Sequence, residues 1–372
     1  MKFMFTCGGT AGHINPAIAV AGRLRELMPE CEILFVGADG HMEEDLVPRS
    51  GYEIVTLKVT NISRGKSLKA IIHNIKSVIN VLLATAKAKK LIQRFQPDVV
   101  IGTGGYVCYP VLKAAAKLGI PTAVHESNAV PGLTTKMLAG VVDKIMLGFE
   151  ESRKHYKQQE KTAVTGTPVR GEFARYTKAQ AKAELGFSAD TPLVVSVWGS
   201  LGAGNMNKIM CEFIKLAGPN PGFRLIHSAG TAGFESMVNT LRETVPAYEK
   251  NGMDVREYIY DMPRVMAAAD LVLCRAGAST VSELTFMHKP TVFVPSPYVT
   301  NNHQYKNAKV IEDAGGAKIF EEGKFEASEL YNEVKRILSS ENELTSMAEA
   351  MEKLAFPEAT NIITEQVLNL AK

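Results

Sequence analysis

The chain has 372 residues, of which 46% are apolar and 22% charged, and its formal net charge at pH 7 is +3. This length has room for two ordinary domains, and the composition excludes a disordered or fibrous protein. The cysteines are scattered, odd in number and form no C-x-x-C pair, which argues against a disulfide framework or a zinc site and favours a reducing compartment.

The first residues reach glycine too soon to supply the apolar core of a signal peptide. No uninterrupted apolar run approaches the roughly 18 residues of a transmembrane helix. We therefore expect a soluble cytoplasmic protein that can still touch a membrane surface.

The segment from Ile54 to Pro97 is rich in Lys and Arg and contains no Asp or Glu. Apolar residues recur in it at helical spacing, which predicts one or two basic amphipathic helices. The apolar stripe either packs in the core or contacts lipid, and the cations of residues 58–94 suit anionic lipid. The stripe consists of Ile71, Ile72, Ile75, Val78, Ile79, Leu82 and Leu83.

In the first half, short apolar strands alternate with helical stretches such as Pro16–Leu27 and Leu112–Leu118. This alternation predicts a parallel sheet covered by helices on both faces. The predicted strands are Phe3–Thr6, Ile33–Val36, Ile54–Leu57, Val99–Ile101, Thr122–Val124 and Lys144–Leu147.

The same strand, glycine and helix plan restarts at Leu193, so we expect two Rossmann-like domains. The predicted linker is Val164–Arg170, and an apolar helical tail after Phe356 could pack back on the first domain. We expect domains at residues 1–164, with helix 357–372, and at 165–356. The later predicted strands start at Leu193 and include Arg224–His227, Asp270–Leu273 and Thr291–Val294.

The first glycine turn runs from Gly8 to His13, where an apolar strand turns into a helix. Asn15 is a suitable N-cap and Pro16 a suitable first helical residue, which would put His13 just before the helix. An ordinary histidine has a pKa of about 6.5, so His13 could act as a general base. It could equally well only bond a loop carbonyl.

The second such turn lies in the run Cys274–Glu283. Its small residues would leave the N-terminus of the following helix open to a diphosphate. Glu283 could accept both hydroxyls of a ribose, or it could form a capping box with Thr280, a purely structural role.

Several other site types are disfavoured by missing motifs. The chain has no G-x-x-x-x-G-K-[ST] loop, no Asp-x-Asp pair for a metal-bound nucleotide sugar and no histidine pair with zinc-ligand spacing. The first turn also lacks the G-x-G-x-x-G of dinucleotide folds. Without such a metal site, the N-terminus of the helix that follows the second glycine turn would neutralise the charge of a leaving group.

Three more polar segments follow predicted strands, at the edge of the sheet where ligands bind. They are Gly102–Tyr106, His125–Asn128 and Asn301–Gln304. Glu126 and Asn128 could contact a ligand or only stabilise their loop, and the last segment could contact a sugar or be a solvated loop.

Taken together, these segments resemble the MurG family, glycosyltransferases that add N-acetylglucosamine to the lipid-linked muramoyl-peptide precursor of peptidoglycan. Seven segments match in order along nearly the whole chain, which is far more specific than one glycine turn. They are Gly8–Pro16, Gly102–Tyr106, His125–Asn128, Thr167–Arg170, Gly199–Ala203, Cys274–Glu283 and Gln304–Ala308.

The resemblance implies an α/β protein of GT-B architecture, with two Rossmann-like domains facing a central cleft that closes about Thr167–Arg170. It implies an inverting transfer from UDP-N-acetylglucosamine to the C4 hydroxyl of the muramoyl sugar on undecaprenyl-linked lipid I, giving lipid II for the cell wall. No metal or cofactor is implied, and no nucleic acid. The enzyme would lie on the cytoplasmic face of the membrane, held by residues 58–94, where other envelope-synthesis proteins could join it.

The resemblance also implies roles for individual residues. His13 is similar to the residue proposed to act near the acceptor, with Glu126 as a less favoured base. Glu283 would hold the ribose, Ile259 the uracil through its backbone, and Gln304 the sugar. The implied donor contacts are Thr10, Ala11, Gly12, Asn128, Arg170, Ser200, Ile259, Ala278, Ser279, Thr280, Val281, Ser282, Glu283 and Gln304.

The chain departs from the common family pattern at two positions. Ala11 replaces a glycine of G-G-T-G-G-H, which should narrow the approach of the backbone to the acceptor diphosphate. Gly204 replaces a bulkier residue.

Two rival functions remain open at this point. Another GT-B transferase, such as one acting on a diacylglycerol, would share the fold and the membrane surface. A non-catalytic UDP-sugar sensor would share the donor site alone. A nicotinamide oxidoreductase is remote because its fingerprint is missing.

Overall fold

The computed structural model describes residues 1–60, 67–199 and 202–371, and the side chains of residues 68–72 are also left undescribed. The chain forms two compact units, Met1–Arg170 with Phe356–Lys372, and Gly171–Ala355. The first unit therefore includes the whole segment 164–170, which the sequence predicts as a linker.

In its described residues, the first unit has one parallel seven-stranded sheet in the order β3-β2-β1-β4-β5-β6-β7. The strands are β1 (Lys2–Cys7), β2 (Glu32–Ala38), β3 (Glu53–Leu57), β4 (Val99–Gly104), β5 (Thr122–Glu126), β6 (Lys144–Leu147) and β7 (Thr162–Val164). The helices that lie between them are α1 (Ala11–Leu27), α2 (Glu43–Arg49), α3 (Leu68–Phe95), α4 (Cys108–Lys117) and α5 (Leu133–Leu138).

The described part of the second unit has a parallel six-stranded sheet in the order β10-β9-β8-β11-β12-β13. Its strands are β8 (Leu193–Val197), β9 (Arg224–Ser228), β10 (Met253–Arg256), β11 (Leu271–Cys274), β12 (Thr291–Phe293) and β13 (Ala317–Ile319). Its helices are α6 (Lys178–Glu184), α7 (Gly204–Ala217), α8 (Phe234–Thr244), α9 (Met262–Ala268), α10 (Ala278–Phe286), α11 (His303–Asp313), α12 (Ala327–Leu338) and α13 (Glu341–Lys353), while α14 (Ala359–Leu370) belongs to the first unit.

Both sheets have the strand order of a doubly wound Rossmann fold, as the sequence predicts. The order reverses between β1 and β4 in the first unit and between β8 and β11 in the second. Ligands of open α/β sheets bind at such switch points. The two predicted glycine turns follow β1 and β11, so the topology places both where a ligand is expected.

The start of α1 differs from the prediction. The helix begins at Ala11, with Thr10 as its N-cap, so Pro16 lies inside it and His13 in its first turn. Asn15 is therefore not the N-cap. Both His13 and Ile14 donate their backbone N–H to the Thr10 carbonyl, at 3.0 and 3.2 Å, so the helical turn has closed well before Pro16.

The core beside α1 is completed from the far end of the sequence. Phe5 and Phe35 stack on neighbouring strands with their ring centroids 5.2 Å apart. Ile363 and Val367 of α14 are buried in the same apolar cluster, together with the inner face of α1. This packing explains why α14 belongs to the first unit.

Helix α3 has two unlike faces. Ser77, Ala84, Ala88 and Ile92 are buried on one face, whereas the apolar stripe on the other lies largely in solvent. The interpretation of this stripe as core is therefore wrong for its described members, Ile75, Val78, Ile79, Leu82 and Leu83, each at least 50% exposed. Small inner residues let α3 pack closely, so the large side chains remain outside.

Within the described residues, no helix combines the length and apolarity needed to cross a bilayer.

Candidate active site

A cavity of about 670 Å³ lies in the second unit at the carboxyl ends of β8 and β11. Thr280, Glu283 and Gln304 line it, together with the glycine turn after β8. This volume is within the usual range for a small-molecule site. The fold thus brings three of the predicted donor contacts to one cavity.

Glu283 reaches the cavity from the second turn of α10. That helix begins at Ala278, and its N-cap is Gly277, which has no side chain to cap it. The capping-box alternative for Thr280 and Glu283 is therefore wrong, because the helix starts two residues before Thr280. Without a side-chain cap, the helix N-terminus keeps its partial positive charge for a ligand.

Gln304 is held in place by the loop after β12. Its Oε1 accepts the backbone N–H of Ser296 at 2.8 Å, so the amide NH2 group remains to donate to a ligand. Asn301 and Asn302 adopt left-handed φ angles of 56° and 52° and form the exposed turn into α11. Their exposure is consistent with the prediction that this part of the segment Asn301–Gln304 is a solvated loop.

The other predicted donor contacts lie in different surroundings. Val281 is buried, and Ser282 Oγ donates to the Ala278 carbonyl at 3.1 Å, so their side chains serve the fold. Ile259 is buried just beyond β10, which leaves its backbone as the group for uracil. Arg170 is exposed in the first unit, and Ser200 lies outside the described residues.

The prediction missed a largely buried ion pair in the cavity wall. Arg275 Nη2 lies 2.7 Å from Glu322 Oε2, and Arg275 Nη1 donates to the Val294 carbonyl at 2.8 Å. Asn205 Nδ2 donates to the other oxygen of Glu322 at 3.2 Å. Arg275 lies next to the second glycine turn in the sequence, and this position could have identified it as a candidate site residue. Glu322 follows the unpredicted strand β13.

The first glycine turn is tightly packed at Gly8, where a Cβ would lie 2.4 Å from Glu43 Oε1. Gly8 donates its N–H to the Gly104 carbonyl at 3.1 Å, and a Cβ on Gly105 would lie 2.5 Å from the Gly8 oxygen. Beneath the turn, the fully buried carboxylate of Glu43 accepts the N–H of Gly9 at 3.0 Å and that of Ala38 at 2.9 Å. The prediction missed Glu43, which fixes the shape of this turn.

His13 is oriented by this turn. Its Nδ1 lies 2.9 Å from the Gly8 carbonyl, which can only accept, so Nδ1 carries the proton and Nε2 is the basic nitrogen in the neutral ring. A Cβ on Gly104 would lie 2.4 Å from the imidazole Cδ2, so only glycine leaves room for the ring. His13 can thus both bond a loop carbonyl and act as a base, since the bond from its Nδ1 to the Gly8 carbonyl orients Nε2. Thr10, Ala11 and Gly12 form the start of the same helix.

Glu126 holds its own loop. Its side chain is 4% exposed, Oε1 accepts the backbone and side-chain N–H groups of Asn128 at 3.0 Å each, and Oε2 accepts the Gly132 N–H at 2.9 Å. Next to it, His125 Nε2 bonds the Gly166 carbonyl at 2.9 Å, and burial lowers the pKa of His125. This geometry favours the loop-stabilising alternative for Glu126.

The chain matches two family models. Residues 3–147 match the glycosyltransferase family 28 N-terminal domain, and residues 193–363 match the glycosyltransferase family 28 C-terminal domain. A crystal structure of MurG from Acinetobacter baumannii has a TM-score of 0.77 and 28% identity to this chain, covering 99% of both chains.

Curated relatives match over their full length. The chain is 40% identical over 372 residues to the UDP-N-acetylglucosamine–N-acetylmuramyl-(pentapeptide) pyrophosphoryl-undecaprenol N-acetylglucosamine transferase of Acetivibrio thermocellus, covering 100% of this chain and 99% of that enzyme. It is also 40% identical over 371 residues to the transferase of the same name from a Thermoanaerobacter species, covering 100% of each. The GT-B fold is thus confirmed, and the chain belongs to glycosyltransferase family 28 and, within it, to the MurG family of N-acetylglucosaminyltransferases.

Proposed function

We propose that this enzyme transfers N-acetylglucosamine from its UDP donor to the C4 hydroxyl of N-acetylmuramyl-pentapeptide on undecaprenyl diphosphate. The product is lipid II, with inversion at the transferred carbon. The observation that carries the proposal is the full-length similarity to transferases whose name states this donor and acceptor.

The donor would occupy the 670 Å³ cavity of the second unit. In this proposal the diphosphate lies at the N-terminus of α10, whose dipole stabilises the negative charge. Glu283 accepts the ribose hydroxyls, the Gln304 amide donates to the sugar, and the backbone at Ile259 reads the uracil. The family resemblance implies further donor contacts at Ser200, Arg170 and Asn128.

His13 would be the base. Its Nε2 takes the proton of the C4 hydroxyl while that oxygen attacks C1 of the donor sugar, from the face opposite UDP. The bond from C1 to the diphosphate oxygen breaks, and UDP leaves with the electron pair. Positioned proton transfer contributes roughly 10² to 10⁴ in rate, and fixed dipoles at the leaving group add to it.

The exposed face of α3 would hold the enzyme on the cytoplasmic face of the membrane, where the lipid acceptor lies. Large apolar side chains such as Leu82 and Leu83 are exposed there, next to the exposed cations Lys76, Lys87 and Lys90. Apolar contact together with basic charge is the combination that binds anionic bilayers.

The test is transfer of labelled N-acetylglucosamine to a lipid I analogue, with EDTA present and a diacylglycerol acceptor in parallel. We expect product on lipid I alone, undiminished by EDTA. Product on diacylglycerol instead would assign another acceptor, and UDP binding without any product would leave the sensor function.

A further inference from the structure

A narrow apolar groove of about 260 Å³ lies in the first unit between α3, α4 and α5. Val78 and Leu82 of α3 form one wall, and Leu133 and Met137 of α5 form the opposite wall. Tyr106, just before α4, also lines it. These side chains are each between 46% and 66% exposed, so the groove is open to solvent and apolar.

The charge at the groove has one sign. Among the described residues that line it there is no carboxylate, and the charged group is Lys113. The Lys113 ammonium donates to the Tyr109 hydroxyl at 2.9 Å and lies 4.9 Å from the centre of that ring. A cation beside an apolar slot fits a ligand with an anionic head and a hydrocarbon tail.

The groove adjoins the first glycine turn. Tyr106 follows Gly105 directly, and Gly104 packs against the His13 ring. Since neighbouring Cα atoms are about 3.8 Å apart, the Tyr106 Cα lies within about 8 Å of that of Gly104. On the opposite wall, Leu133 follows Gly132, whose N–H bonds Glu126. The groove wall at Tyr106 therefore lies in the same unit, two residues along the chain from the glycine that packs against the His13 ring.

We propose that this groove binds the first isoprene units of the polyprenyl diphosphate acceptor. The inference rests on the proposed function and extends it, because it makes the lipid chain a recognised part of the substrate as well as its anchor. The acceptor has a sugar, a diphosphate and a hydrocarbon chain in that order. With the sugar at His13 and the diphosphate along the glycine turn, the hydrocarbon chain would enter the groove past Tyr106.

Helix α3 supplies matched controls, because its exposed stripe contains residues inside and outside the groove. Val78 and Leu82 line the groove, whereas their neighbours Ile79 and Leu83 are similarly exposed but do not. General membrane contact should depend on both pairs. Recognition of the chain by the groove should depend on the first pair alone.

The experiment uses two lipid I analogues that share the sugar, peptide and diphosphate but carry either a ten-carbon prenyl chain or a methyl group. kcat/KM is measured for both in solution, without vesicles or detergent. We expect the wild type to prefer the prenyl analogue. Leu82→Asn and Leu133→Asn should each lower the ratio of the two kcat/KM values by up to about tenfold, and Leu83→Asn should leave this ratio as in the wild type.

A ratio that neither groove variant changes would overturn the inference, as would an equal fall in Leu83→Asn. Melting temperatures confirm that each variant is folded. If the wild type transferred sugar to neither analogue, the proposed function itself would be wrong. If it transferred sugar to both with equal kcat/KM, only the inference about the groove would be wrong.

Discussion

At the scale of single residues, His13 and Glu126 illustrate how hydrogen bonds decide between two candidate bases. Both oxygens of Glu126 already accept N–H groups from its loop, so a proton taken by this carboxylate would break bonds that hold the loop. The carbonyl bond of His13 instead uses the nitrogen that does not need to react. The sequence predicts both residues but not this difference, because the difference depends on what lies around each side chain.

We expect His13→Ala to lower kcat by about 10² to 10⁴ while UDP binding changes little, because the base acts in the transition state. Steady-state kinetics and calorimetry with UDP measure the two effects. A variant with wild-type kcat would remove His13 from the mechanism.

Glu126→Gln is the companion variant. An amide cannot accept at both ends, so we expect a lower melting temperature from the weakened loop, and a smaller loss of kcat than in His13→Ala. The opposite ranking in kcat would make Glu126 the base.

Glu283→Ala should weaken donor binding by roughly 10- to 100-fold, the effect of losing a charge-assisted hydrogen bond. Donor affinity should fall far more than the melting temperature, since Glu283 caps no helix. Glu329→Ala is the matched control, because the Glu329 carboxylate accepts the backbone N–H of Glu326 at 2.8 Å at the start of α12. This control should lower the melting temperature and retain donor affinity; if the two variants behaved alike, the ribose role would be contradicted.

At the scale of elements, α3 shows why apolar periodicity does not reveal which face is buried. Its stripe of large residues and its stripe of mostly small residues are both regular, and the small ones are buried. Periodicity predicts the helix correctly, but the close approach of α4 selects the small side chains for the interior.

Reversing charge on α3 tests its membrane role. Each lysine near an anionic bilayer contributes about 1 kcal/mol, so Lys76→Glu with Lys87→Glu should reduce flotation with anionic vesicles at least tenfold, and added salt should shrink the effect. The same reversal at the exposed Lys208 and Lys250 of the second unit is the control. Equal binding by both double variants would exclude α3 as the contact.

The strands that the sequence missed share a physical reason. β7, β10 and β13 are three or four residues long and lie at or beside sheet edges, where few side chains need to be apolar. The central strands carry continuous buried runs, and the sequence predicts every one of them. The glycine turns are found for the same reason, since they follow central strands.

At the scale of the whole molecule, the second unit contains a buried polar network across its sheet. His227 is fully buried, its Nδ1 lies 3.0 Å from Ser196 Oγ, and its Nε2 lies 3.3 Å from Asn207 Oδ1. Asn207 in turn donates its amide to the Ala229 carbonyl at 2.8 Å. Burial lowers the pKa of His227 to about 3.

This lowered pKa predicts acid sensitivity. An unfolded histidine takes up a proton near pH 6.5, whereas the folded unit resists it until about pH 3, so the stabilisation is complete above pH 6.5 and is lost as pH falls towards 3. Between pH 7 and pH 4 we expect the melting temperature of the wild type to fall more than that of His227→Gln. Parallel curves would mean that other groups control acid unfolding.

The return of the chain to the first unit has a consequence for synthesis. A Cβ on Gly166 would lie 2.2 Å from the Phe356 Cβ, and α14 then completes the core beside α1. On the ribosome, residues 171–355 separate these two parts, a delay of roughly ten to forty seconds at ordinary elongation rates. Throughout the synthesis of the second unit, the first, although made earlier, therefore still exposes the apolar surface that Ile363 and Val367 will cover. The domain translated first is thus the one whose core is completed last, and during that interval its exposed apolar surface can bind a chaperone.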